Sequence, residues 1–392
     1  MQNKIPHINP SVTFNKLNDK EFILCNTLHK HYLKINKDTY NLLSLIDNER
    51  SLQEICELHN QQSEKELTVN ALHFLLYDKL SKYGLLVGEE EQIKPYQKPS
   101  YLKLSFIIFS KRFIAKITPS LHFLFHKKIA FPLLILCAVM IGTELYLLLD
   151  GYKSFKVQES VIFFLVVMAI SVTFHELGHA TAASHFGAEH GGIGGGFYLF
   201  TPVYFADVTD VWRLKKWQRV VVNCAGMYFE IIFCTLLSLV GLLLGQISLT
   251  LIAIIVCLHT FFNLNPFLRS DGYWILSDIT NKPNLLQHSF RKIGDVFRMI
   301  KGKKVQWTKI DFLLLVYGLI SYSFIVLFVY YVLFKNPHSI LNFPQNLYHF
   351  LKSLCNKDAT ISLVSFGELI VPMLFFYLLF SFLKSILRKK KI

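Results

Sequence analysis

Of 392 residues, 52% are hydrophobic and 35 are Phe, with a mean hydropathy of +0.37, a composition that excludes an ordinary soluble globular protein. The 41 Lys and Arg exceed the 27 Asp and Glu to give a formal charge of +14; with no nucleic-acid motif beside it, this charge points to an anionic membrane surface. Seven cysteines (Cys25, Cys56, Cys137, Cys224, Cys234, Cys257, Cys355) show no CxxC spacing, which argues against a disulfide framework.

Residues 1–20 are polar and carry no signal-peptide pattern. Residues 12–90 read as a small soluble α+β domain: Glu21–Cys25 and His31–Asn36 predict two short strands around a turn, and helical patterns follow at 38–47, 51–61 and 66–82. The last of these carries Leu72, Phe74, Leu75 and Leu80, which suit a groove or a core. Pro95 and Pro99 mark a linker. Residues 101–109 then alternate basic and apolar groups ahead of Lys111 and Arg112, the pattern of a segment lying on the inner leaflet.

Six apolar stretches, 129–149, 159–183, 220–244, 247–265, 312–334 and 361–383, are candidate membrane spans. With the N-terminus inside, 36 of the 41 Lys and Arg fall on the inner side, which places both termini in the cytoplasm by the positive-inside rule. The basic run Arg388–Lys391 then serves as a headgroup anchor. The expected fold is mainly α: a polytopic membrane protein of about six transmembrane helices with a small N-terminal α+β winged-helix-like domain. Its layout is 1–95 cytoplasmic domain, 96–128 linker and interfacial segment, 129–385 membrane domain and 386–392 basic tail.

The second span ends in His175-Glu176-Leu177-Gly178-His179. In a helix, residues four apart share a face, so His175 and His179 can direct their imidazoles at one metal with Glu176 alongside. Zinc takes three protein ligands and a water, and the adjacent carboxylate accepts a proton from that water. Such a signature can arise by chance on a surface helix, but here the preceding residues 161–174 are almost wholly apolar, where ionisable groups are rare unless functional. Those fourteen residues rise about 21 Å, so in a core of about 30 Å entered from outside His175 lies in the cytoplasmic third.

After a glycine-rich loop at 185–200, in which Phe197 to Phe205 can form a strand edge, come two further carboxylates. His185 and His190 read as ordinary loop residues. Glu230, inside an apolar span, is open to three roles: a ligand, a partner holding a histidine, or a helix-packing group. Asp271 follows Asn263-Leu-Asn-Pro266, where Pro266 ends a helix and Gly272 permits a sharp turn back toward the first motif. Asp271 is the best candidate for a third ligand, with helix N-capping as the alternative. Asn263 and Asn265 are candidate supporting or oxyanion-binding residues.

The HELGH helix, the Ala225-Gly-x-x-x-Glu230 segment and the Asn-Leu-Asn-Pro…Asp-Gly motif resemble the site-2-protease superfamily of intramembrane zinc metalloproteases. Asp207-Val-Thr-Asp-Val-Trp-Arg213 and the residues after Asp271 look more like its peptide zinc metalloprotease branch, found with ribosomally made, modified peptides. The resemblance covers about residues 100–300. It implies Zn2+ held by His175, His179 and Asp271, with Glu176 as general base. The chain departs from the classical signalling proteases in having no recognisable PDZ or CBS domain, and in carrying Glu230 where a Pro/Asn pattern is usual. The strand–helix pattern of residues 12–90 resembles the winged-helix, PqqD-like element that binds leader peptides, which takes an extended leader at a sheet edge.

The expected activity is therefore a zinc endopeptidase in the cell membrane, cutting a ribosomally made precursor peptide near the cytoplasmic face. Expected partners are that precursor, the bilayer, and an ABC exporter or a peptide-modifying enzyme, with no nucleic acid. Two other activities fit the same residues: an intramembrane protease of a membrane-bound signalling protein, and a non-hydrolytic leader-binding or export accessory.

Overall fold

A computed structural model describes residues 3–63, 66–89, 93, 103–151, 161–198, 201–267, 269–282, 284–302, 304–355, 369 and 371–380. Near the N-terminus β1 (Val12–Lys16), β2 (Glu21–Asn26) and β3 (His31–Asn36) form an antiparallel meander in the order β1-β2-β3. The register sets Leu24 opposite Phe14 and Leu33, so these residues share one face with Phe22 and Ile35. That face closes a core with α1 (Lys37–Ser44), α2 (Leu52–Gln62) and α3 (Val69–His73), which widens into a π-helical stretch over Phe74–Leu80. Side-chain caps begin each helix: Asn36 accepts from the Thr39 N–H, Ser51 forms a capping box with Glu54, and Thr68 accepts from Ala71. The strand β1 had no sequence counterpart, because Val12-Thr-Phe-Asn-Lys16 offers only two apolar residues.

Mostly helical structure follows. The stretch read as an interfacial segment forms β4 (Lys103–Phe109), which joins β5 (Ile193–Tyr198) and β6 (Thr201–Ala206) in a sheet of order β4-β5-β6. Ser110 caps α4 (Lys111–Leu121), and α5 (Lys127–Gly151), α6 (Val161–His185), α7 (Lys216–Leu243), α8 (Ile247–Phe262) and α9 (Asp271–Thr280) complete this part. Helices α6 and α7 cross backbone to backbone, since a Cβ on Gly178 would lie 2.3 Å from the Ala225 carbonyl oxygen. Val167, Cys234, Ile252, Ala253, Val256 and Cys257 fill the space between α6, α7 and α8.

The chain divides into two compact units, with Met1–Ser100, Ser105–Gly195 and Tyr204–Asn281 in the first. In the second, α10 (Leu285–Ile300) and α11 (Lys309–Tyr330) form a helical hairpin. Gly318 there lets α11 approach the Ser289 backbone, and Lys292 pairs with Asp311 at 3.0 Å. The short α12 (His338–Leu341) and α13 (Phe343–Cys355) follow.

Among the described residues, four helices are long and apolar enough to cross a membrane: Lys127–Tyr146, Phe163–His185, Lys216–Leu243 and Lys309–Lys335. These apolar helices point to a membrane protein. Of the six spans expected, the fourth is the 16-residue α8, about 24 Å long and shorter than a core of about 30 Å. The sixth coincides with the apolar helix Val371–Phe380, and most of its remainder lies outside the described residues, as do Pro95, Pro99 and the basic tail.

Candidate metal centre

About three turns before its C-terminal end, α6 presents His175, Glu176 and His179, each less than 9% exposed. The two imidazole rings stand 4.9 Å apart at 72°. His175 Nδ1 lies 2.9 Å from Glu230 Oε2, and His179 Nδ1 lies 2.7 Å from the Val222 carbonyl oxygen. Both partners only accept, so each Nδ1 carries the proton and donates it. The lone pair of each Nε2 is then free for a metal. Both Nε2 atoms face Gly226 of α7, where a Cβ would fall 2.4 Å from each of them.

Asp271 reaches the same point from α9. The chain leaves α8, the Gly272 N–H donates to the Asn263 carbonyl oxygen at 2.7 Å, and a Cβ on Gly272 would collide with the Leu264 carbonyl at 2.1 Å. Ser270 holds the N-cap position, so Asp271 is the first helical residue and its side chain is directed elsewhere. Asp271 Oδ2 is 2.9 Å from His175 Nε2, and Oδ1 is 3.4 Å from His179 Nε2. The longer spacing equals the roughly 3.4 Å edge of a tetrahedron with bonds near 2.1 Å, and the other is shorter. Asp271 Oδ2 is buried without a hydrogen-bond partner, an arrangement that costs about 1–3 kcal/mol unless something binds there.

One candidate ligand atom from each of His175, His179 and Asp271 lies within 4.8 Å of the other two, and among the described residues this is the one such cluster of His, Cys, Asp and Glu. Two imidazoles and a carboxylate form a donor set that suits Zn2+. When bound, the ion supplies Lewis acidity toward a peptide carbonyl and toward water. Glu176 sits beside the cluster with the Ala206 backbone, at the end of β6, facing its carboxylate. From there it can take a proton from water and return it to a leaving amine.

Glu230 lies behind His175, on the side away from Asp271, and Ser171 donates to its other oxygen at 2.9 Å. Asn265 turns its side chain onto the Phe267 N–H at 2.9 Å, shaping the bend that delivers Asp271, and Asn263 contributes its carbonyl to the same bend. Arg219 and Asn223 of α7 bind Asp278 at 2.6 and 2.9 Å, two turns along α9 from Asp271 on the same face, and so fix that helix against α7. Ser171, Gly226, Arg219 and Asn223 were not singled out from sequence. A polar Ser171 one turn before His175, in an apolar span, was the available signal.

His185 falls six residues after His179, the spacing of the third ligand in HExxHxxGxxH proteases. Ala182 replaces the glycine that would break the helix there. Helix α6 therefore continues to His185, whose ring stacks on Phe125 at 5.6 Å beside His122 and His126. His190 pairs with Thr118 at 3.3 Å.

The chain is 25% identical over 207 residues, 50% of its own length and 79% of the relative's, to the "Putative peptide zinc metalloprotease protein YydH" of Bacillus subtilis (strain 168). That similarity supports a metalloprotease function. No protein-family model and no solved structure matches the chain.

Gly226→Ala places a methyl group at the point toward which both Nε2 atoms face. The expected result is loss of stoichiometric zinc with the helices still inserted, read by metal analysis of the purified protein; full zinc occupancy would show that the metal lies elsewhere.

Proposed function

We propose that the protein is a membrane zinc endopeptidase that cuts a ribosomally made precursor peptide near the cytoplasmic face, with the N-terminal domain binding the precursor's leader. The carrying observation is the meeting of His175, His179 and Asp271 beside the buried Glu176 on an apolar helix. The relative's name agrees with zinc and with peptide hydrolysis. The charge distribution favours entry from the cytoplasm. Proteolysis needs an extended substrate, and the sheet of β4, β5 and β6 packs on α6 through Ile193, Tyr204 and Ala206 against Leu177 and Ala180, so a peptide running beside β6 would pass Glu176.

The test is cleavage of a precursor peptide encoded in the same locus, followed by mass spectrometry. Removing residues 1–89 should raise the substrate concentration needed for half-maximal cleavage far more than it lowers the maximal rate, because the zinc ligands and Glu176 remain. Equal concentration dependence for full-length and truncated proteins would remove the leader-binding role.

A further inference from the structure

The central strand β2 of the N-terminal sheet is buried on both faces. Ile23 and Cys25 are only 4% and 0% exposed, yet the register places them on the face turned away from the domain's own core. That second face is covered by the turn Thr209–Arg213, which follows β6 and packs against β2. Polar contacts fix the seating. Lys30 Nζ lies 2.7 Å from Asp207 Oδ2, and the Tyr32 hydroxyl donates to Asp210 Oδ1 at 2.8 Å. Glu21 accepts from Asn281 at 3.3 Å, just beyond α9.

The acceptors are held from behind. Asp210, 7% exposed, also takes the Glu189 N–H and the Arg213 guanidinium, each at 2.7 Å. The Asp207 backbone pairs with Gly191 and Gly192 at the entry to β5. A Cβ on Gly191 would meet the Asp207 side chain at 2.8 Å, so this close approach needs the glycine. Burial and the Asp210 carboxylate push the Tyr32 phenol upward, so it remains a donor. Asp207 directly follows Ala206, whose backbone faces Glu176. A single peptide link thus joins the seat of the N-terminal domain to the strand end beside the proposed general base.

We propose that Lys30 and Tyr32 with Asp207 and Asp210 form a latch that makes the N-terminal domain a fixed part of the substrate-presenting machinery, so that these four are positioning residues for cleavage. This rests on the proteolytic reading of the zinc site. A peptide held on the latched domain enters beside β6 from one direction and at one distance. A peptide held on an unlatched domain is bound equally well and presented badly. Unlatching therefore lowers the maximal rate, whereas removing the domain raises the concentration requirement.

The test uses the full-length protein in nanodiscs, with spin labels at the exposed positions Glu57 and Trp217 and a precursor peptide from the same locus as substrate. Lys30→Glu combined with Tyr32→Phe should broaden the distance distribution between the labels. It should also lower kcat by about tenfold or more, since small misplacements at a reacting centre cost up to about 10²-fold, while KM stays the same or falls and zinc content is unchanged. Lys30→Arg should keep the narrow distribution and the wild-type kcat. A distribution that stays narrow in the double variant overturns the latch. A broadened distribution with kcat and cleavage position unchanged overturns the positioning role. Absence of any Glu176-dependent cleavage by the wild type defeats instead the proteolytic reading, whatever the distances show.

Discussion

Glu176→Gln is expected to retain one zinc per chain and to lose cleavage by about 10²- to 10⁴-fold, the usual contribution of a positioned general base. The side chain is not among the three ligand atoms, which come from His175, His179 and Asp271, so amide replacement leaves the donor set whole. Gln matches Glu in shape and can keep the Ala206 backbone facing it, but cannot accept a proton from water at neutral pH. Purified variant and wild type are compared for zinc content and for the rate of precursor cleavage. A variant that keeps both its zinc and its rate would exclude Glu176 as the base.

The second large effect separates the two carboxylates. Asp271→Ala removes a ligand and should leave the protein without stoichiometric zinc, whereas Glu230→Ala leaves all three ligands and removes only the group that orients His175. Loss of such an orienting partner costs about 10- to 100-fold in metal affinity, so Glu230→Ala should still bind zinc at saturating concentration. Competition with a chromogenic chelator reads both variants. If Glu230→Ala loses zinc entirely while Asp271→Ala keeps it, the roles of the two carboxylates are exchanged.

The parts of this site that were legible in the sequence are those fixed by local geometry. His175 and His179 share a helix face because they are four residues apart, and the apolar run before them made three ionisable side chains conspicuous. Asp271 could be named only as the best candidate. Its approach depends on a bend in which Asn265 and Gly272 act through backbone contacts with residues several positions away. Gly226 was not legible: its contribution is a missing Cβ opposite two histidines about fifty residues distant, and no local pattern encodes that. Membrane spans were read from hydropathy, which marks apolar stretches well and helix ends poorly, so α8 stops at Phe262, three residues before the expected limit. The burial of β2 on both faces had a signal. Phe22-Ile-Leu-Cys25 is continuously apolar where a strand with one wet face would alternate, and continuous runs mark strands covered on both sides.

The most direct test of the account is X-ray absorption at the zinc edge, with metal stoichiometry, on full-length protein isolated without chelators. Its central claim is that His175, His179 and Asp271 hold one zinc beside Glu176. The account predicts one zinc per chain, two histidine nitrogens and oxygen in the coordination shell at about 2.0–2.2 Å, and no sulfur. A sulfur shell at about 2.3 Å, or the absence of stoichiometric zinc, would contradict the assignment.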